Sequence, residues 1–122
     1  MRTSAAHAAA FYRDALALGS VWGVADSGGL PTVTPVDGTP AMPFWSTRGR
    51  AARVLAAAST FAGFEPVESP LGEWRTRWLP GLAGDGIHVG LNWSGPHAQG
   101  YDLPPADVER NLAAREAVTR GN

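Results

Sequence analysis

Apolar positions open the chain at helical spacing. Ala8, Phe11, Ala15 and Leu18 recur three and four residues apart and predict an amphipathic helix over about 4–18. Thr3 or Ser4 offers an N-cap hydroxyl, and Gly19 a C-terminal stop. The period then changes. Val21 to Ala25 is short and apolar and runs into Asp26-Ser27-Gly28-Gly29, a strand entering a tight turn. Thr32-Val33-Thr34 reads as the returning strand, confined to an edge by Pro31 and Pro35. A turn at Asp37-Gly38 leads to a third strand, Ala41 to Trp45, in which Pro43 marks an edge or bulge. These segments predict a meander rather than a parallel βαβ unit.

The second half alternates the two periods. Ser46 is placed to cap a helix over about 47–59, with Ala51, Val54, Leu55 and Ala58 as its buried stripe. Phe64 to Glu68 is a short strand candidate. Ser69-Pro70 reads as a cap followed by proline in the first turn, opening a helix that carries Leu71, Trp74 and Trp78 on one face and stops near Pro80-Gly81. Beyond Gly86, Ile87, Val89, Leu91 and Trp93 alternate with His88, Gly90, Asn92 and Ser94, a strand with one apolar and one polar face. A last helix begins near Pro104-Pro105, buries Val108 and Leu112, and frays after about Arg115. The expectation is one α+β domain over residues 1–122, its core at about 4–115, with a mostly antiparallel sheet of about four to five short strands packed with about four helices.

Composition removes functions rather than proposing them. The chain has 122 residues, no cysteine, and a formal charge of −1 from 10 basic and 11 acidic residues. Without cysteine there is no disulfide framework, thiolate zinc site or thiol nucleophile. All the basic residues are arginine, so lysine Schiff-base and Walker-type chemistry are excluded as well. The balanced charge argues against nucleic acid as partner. No segment approaches the roughly 18 apolar residues of a membrane span, and Ala5 to Ala10 is too short and too polar around His7 for a signal peptide. A cytoplasmic location is expected.

Several tryptophan-bearing blocks recur in a recognisable order. They are Trp22-Gly23, Ala41-Met42-Pro43-Phe44-Trp45-Ser46, Arg50-Ala51, Gly63-Phe64-Glu65-Pro66-Val67, Trp78-Leu79-Pro80-Gly81-Leu82, Val89-Gly90-Leu91-Asn92-Trp93-Ser94-Gly95 and Gly100-Tyr101-Asp102. In this order and spacing, across roughly residues 8–112, the chain resembles the small bacterial family designated DUF2750. That family is one of unknown function, so the resemblance implies no catalytic residue, ligand or reaction.

Three places invite a functional reading. At the strand-to-helix junction Trp45-Ser46, three arginines (Arg48, Arg50 and Arg53) crowd the first two turns of a helix whose dipole disfavours them. An anion should therefore sit nearby: Glu65, Glu68 or Asp37 within the chain, a bound phosphate or carboxylate, or a partner's acidic side chain. The intramolecular pairing is the blander and favoured reading, since exposed ion pairs are common. On the strand at 86–94, His88, Asn92 and Ser94 would share a face, with Gly90 permitting close approach either to a ligand or to a crossing helix. The run Ser94-Gly95-Pro96-His97, with Asp102 beyond, holds the residue types of a hydrolase triad. It lacks the nucleophile-elbow glycines and compresses the triad into one loop, so a turn closed by the Ser94 hydroxyl is preferred. The histidines lack metal-ligand spacing, and no metal or cofactor is expected. Trp74 and Trp78 read as core with Arg75 and Arg77 solvated, which leaves Trp22 and especially Trp45 as candidates for exposure.

The leading expectation is a small non-enzymatic protein-interaction module, immunity-like or regulatory, whose partner presents an acidic surface. The alternative is a small-molecule anion site, with enzymatic chemistry open to it, between the Trp45-Ser46 helix start and the His88/Asn92 strand face. Edge strands around Thr32 and Met42 would also allow a homodimer.

Overall fold

A computed structural model describes residues 2–35 and 38–120, so the expected turn residue Asp37 lies outside it, as do the capping side chains of Thr3 and Ser4. Helix α1 (Arg2–Leu18) buries Ala8, Phe11, Tyr12 and Ala15. Leu18, expected on that face, is 63% exposed. The chain reverses at the next residue, Gly19, whose φ of +75° lets its N–H close back on the Ala15 carbonyl.

Strand β1 (Ser20–Ala25) follows, and the tight turn forms as its sequence implies: Asp26 Oδ1 accepts from the Gly28 N–H at 2.8 Å. The expected meander does not form. Thr32–Thr34 makes a single bridge, Val33 to Ala41, because Pro31 and Pro35 cannot donate to a ladder. β1 instead pairs antiparallel with β3 (Glu65–Pro70), Ser20 opposite Pro70 and Ala25 opposite Glu65. Ser69 and Pro70 therefore end a strand, and Pro70 rather than Ser69 stands at the N-cap of the helix that starts at Leu71, with no side-chain capping bond.

A second sheet has the order β2-β4-β5, from β2 (Ala41–Phe44), β4 (His88–Leu91) and β5 (Asp102–Leu103). β2 and β4 run parallel, the opposite of a meander, while β4 and β5 are antiparallel. One bridge, Trp22 to Trp45, joins the two sheets through a pair of 2.7 Å hydrogen bonds. Pro43 turns its backbone toward the side that carries only isolated bridges, so its missing N–H costs no ladder bond.

The parallel pair explains the core. Met42, Phe44, Val89 and Leu91 pack on one side with Phe11, Trp74 and Leu112. Ala41 and Trp45 face the other way, with Val24, Val54, Phe61 and Trp93. A sheet covered on both faces has no polar face to offer. Gly90 is part of this second packing: a Cβ there would lie 2.5 Å from the Trp93 ring, so the indole rather than a ligand or a crossing helix fills the space.

α2 spans Arg48–Ala57 and buries Ala51 and Val54, with Ala58 buried at its C-cap. Ser59–Phe61 adds a single 3-10 turn. Next, α3 (Leu71–Glu73), a π-turn (Trp74–Trp78) and α4 (Leu79–Gly84) run on as one helical stretch, past the stop expected at Pro80-Gly81. The π-turn is what admits the proline. The Leu79 N–H bonds the Trp74 carbonyl five residues back, and Thr76 Oγ1 donates to the Gly72 carbonyl at 2.9 Å. The register has widened just ahead of a residue that has no N–H and needs room for its ring. The last helix, α5 (Pro105–Arg120), buries Val108 and Leu112 as expected. It does not fray after Arg115, because Arg75 holds Glu116 at 3.0 Å. Arg75, expected in solvent, also grips Glu109 through two bonds of 2.9 and 2.6 Å, and these carboxylates raise its pKa still further.

Candidate functional site

The polar centre of the molecule lies where β2 passes into α2. Ser46, expected as the N-cap, is fully buried, and Thr47 caps instead, its Oγ1 accepting from the Arg50 N–H at 3.1 Å. The Ser46 N–H donates to Asn92 Oδ1 at 2.9 Å, and Asn92 Nδ2 donates to Ser46 Oγ and to the His7 carbonyl, both at 3.0 Å. The Ser46 hydroxyl also lies 3.3 Å from Asp14 Oδ2 and from Asn92 Oδ1; its one hydrogen serves one of them at a time. Asn92 is 1% exposed, and its φ of 52° is left-handed. Asparagine tolerates that conformation better than most residues, and here its amide satisfies three buried groups from two distant segments.

The left-handed turn at Asn92 also ends β4, which breaks the alternation over 86–94. Beyond it Trp93 folds back over Gly90 and donates its Nε1–H to the Tyr101 carbonyl at 2.8 Å. His88 and Asn92 consequently do not share a face. His88 pairs through Nδ1 with Asp102 Oδ1 at 2.9 Å, tying β4 to β5 well away from Ser46. Trp45, expected exposed, has 0% exposure and donates its Nε1–H to the Trp93 carbonyl at 2.8 Å. Trp22 is half-buried.

Against this network opens a pocket of about 280 Å³ whose polar wall is His7, Arg50, Arg53 and Ser94 and whose apolar wall is Val54, Ala57 and Trp93. His7 Nδ1 stands 3.4 Å from Ser94 Oγ, so that hydroxyl faces α1 rather than closing its own turn. The turn is closed by backbone instead, Ser94 and Gln99 exchanging bonds of 2.9 and 3.0 Å. The triad suggested within 94–102 thus disperses: Ser94 meets His7, His97 is exposed, and Asp102 belongs to His88.

The arginines part company. Arg50 Nε lies 3.9 Å from Asp14 Oδ2, a partner on α1 that sequence spacing does not suggest. Neither Glu65 nor Glu68 serves the cluster; Glu68 accepts from the Ser20 hydroxyl at 2.6 Å. Arg48 and Arg53 have no carboxylate partner among the described residues. Of the expected site residues, then, Ser46, Asn92, Ser94 and Arg50 come together. Arg48 stays on the adjacent surface, while Trp45 and His88 are elsewhere. His7 and Asp14 were missed because each stands on the first helix, 39 and 32 positions before Ser46, with no motif around it.

A larger hollow of about 430 Å³ is lined by Met42, Trp78, Leu82 and Ile87, with the paired Glu73 and Arg77 and with Asp85. No cluster of three metal-binding side chains exists among the described residues, and no helix there is long and apolar enough to cross a membrane.

The family model for DUF2750, a protein of unknown function, matches residues 8–112. The chain belongs to the DUF2750 family. The match spans the whole pocket except His7, which lies one residue ahead of it. No curated protein and no solved structure matches the chain.

Proposed function

We propose that this DUF2750 domain binds a small anionic group in the pocket at the start of α2. The observation that carries the reading is Arg53: it lines a concave pocket of about 280 Å³ and has no carboxylate partner among the described residues. Asp14, the acid of the network, is paired with Arg13 at 3.0 Å and lies 3.3 Å from the Ser46 hydroxyl and 3.9 Å from Arg50. A bound phosphate or carboxylate would pair with the Arg53 guanidinium and accept from the Ser94 hydroxyl.

Thermal denaturation with inorganic phosphate, and separately with acetate, tests this against sodium chloride at matched ionic strength. At a hundred times its Kd a ligand adds about 2.7 kcal/mol of apparent stability, a rise of several degrees for a domain of this size. The rise should disappear in Arg53→Ala. An equal rise with chloride, or in the variant, would sink the reading.

A protein partner with an acidic surface, immunity-like or regulatory, keeps one observation in its favour. Arg48 is exposed and unpaired among the described residues but does not line the pocket, so it suits a surface contact better than a small ligand. The tryptophans no longer support that reading, because Trp45, Trp74 and Trp93 are core. Stoichiometric capture of an acidic protein that is lost in Arg48→Glu, with no phosphate or acetate effect, would establish it instead.

A further inference from the structure

The geometry points to Ser94 as a nucleophile activated by His7, for transfer of a small acyl group from an ester to water. The inference rests on the reading of the same pocket as an anion site, and it assigns that pocket a chemistry. Four observations converge on it.

First, a hydroxyl and an imidazole from opposite ends of the chain meet in one cavity, His7 Nδ1 3.4 Å from Ser94 Oγ. Nucleophile and base are normally delivered from separate elements in this way, and the contact between them is often long before substrate arrives. Second, the backbone is left-handed on both sides of Ser94. Among the described residues, those with positive φ other than glycine are Asn92 at 52° and Ala98 at 50°, with Gly95 at 84° between them. Alanine has no side-chain compensation for that conformation, and strain of this kind gathers at sites where a side chain must be presented.

Third, Asn92 fixes the backbone that carries the base. Its Nδ2 holds the His7 carbonyl at 3.0 Å while its Oδ1 is anchored on the Ser46 N–H, so α1 and the Ser94 turn are registered through one buried amide. Fourth, Arg53 stands on the same wall without a carboxylate partner among the described residues, where a developing oxyanion could be received.

The steps balance without any further reagent. Ser94 Oγ forms a bond to the ester carbonyl carbon as its proton passes to His7 Nδ1, and the carbonyl electrons move onto the oxyanion facing Arg53. Collapse breaks the bond to the alcohol, which leaves with the proton from His7. Water then attacks the acyl carbon as one of its protons passes to His7. The bond from that carbon to Ser94 Oγ breaks as His7 returns the proton to Oγ, and the carboxylic acid released gives its remaining proton to solvent and becomes a carboxylate. That carboxylate is itself an anion of the class the pocket is proposed to hold. At about 280 Å³ the cavity admits a short acyl chain, which would lie on Val54, Ala57 and Trp93.

The test is covalent labelling with a small alkyl fluorophosphonate, read by intact mass and peptide mapping, with the fold of every variant checked by near-ultraviolet circular dichroism. One adduct per chain at Ser94 is expected. It should be absent in Ser94→Ala, at least tenfold slower in His7→Gln, and unchanged in His97→Ala, whose side chain is exposed and outside the pocket. No adduct at Ser94, or labelling of His7→Gln at the wild-type rate, overturns the inference. Should Ser94→Ala misfold, the rate in His7→Gln and the mapped position still decide it. If phosphate still stabilises wild-type protein but not Arg53→Ala while no adduct forms, the chemistry is refuted and the binding reading stands. If the adduct forms and no anion stabilises the protein, the reverse holds.

Discussion

Two arginine-bearing helical segments in this molecule treat the same charge in opposite ways. In the π-turn, Arg75 is gripped by Glu109 and Glu116 of α5, and its charge is spent on fixing one helix against another. At the start of α2, Arg50 has only a distant contact with Asp14, and Arg48 and Arg53 have no carboxylate partner among the described residues. A buried or half-buried cation with two carboxylates is explained by the fold. A cation left on the wall of a pocket without a carboxylate is not. The difference separates arginines that hold the structure from those free to hold something else.

Substitutions can break that contrast, and the largest effect should come from beneath the free arginines. Asn92→Ala strands the Ser46 N–H in the interior, removes the partner of the part-buried His7 carbonyl and leaves alanine in a left-handed conformation. A loss of about 3 kcal/mol is expected by urea denaturation. Asn92→Gly relieves the backbone but not the hydrogen bonds, and should recover about 1 kcal/mol of that loss. If the two variants are equally stable, strain at Asn92 is not a feature of the native state.

Arg75→Ala comes next. It releases a bidentate ion pair that is partly exposed, with Arg75 at 17% and Glu109 at 42% side-chain exposure, so solvent screening limits the loss to about 1 kcal/mol. Glu109→Gln should cost less than Arg75→Ala, because Glu116 still holds the guanidinium.

Tyr12 gives a smaller, pH-dependent effect. Burial raises its phenol pKa above 10, although the bond from Asn111 and the cation of Arg115 oppose this. The unfolded chain therefore loses that proton at lower pH than the native one. The contribution is fully present below about pH 10 and is lost as pH rises through the native value. Melting followed between pH 9 and 11 should show a decline that is shallower in Tyr12→Phe.

Arg53→Ala should scarcely register as stability, within about 0.5 kcal/mol, yet abolish stabilisation by phosphate. A large stability loss in this variant would move Arg53 to the structural side of the comparison.

Much of the fold is legible in the sequence because local patterning and long-range packing agree there. Phe11 and Ala15 at helical spacing, and Val108 and Leu112 in the last helix, are buried where the periodicity puts them. Legibility fails where pairing partners had to be chosen. Short apolar runs beside turn residues mark 21–25 and 41–45 as strands, but not that β1 would join β3 or that β2 would lie parallel to β4. The site failed in the same way. Ser46, Arg50, Asn92 and Ser94 carry local signals in turns and at a helix start, whereas His7 and Asp14 look like any polar residues on an amphipathic helix.

By itself, then, the sequence determined the centres of the main helices and of β1 to β4, the absence of thiol and lysine chemistry, and the basic character of the α2 start. These follow from local periodicity and residue chemistry, which need no partner to be defined. Tertiary structure alone decided that Trp45 is core, that His88 goes to Asp102, and that His7 reaches Ser94 across 87 positions of chain. Each of those depends on which face of which strand is covered. That is settled by burying apolar area from both sides of β2 and β4 at once, a condition no short window of sequence contains.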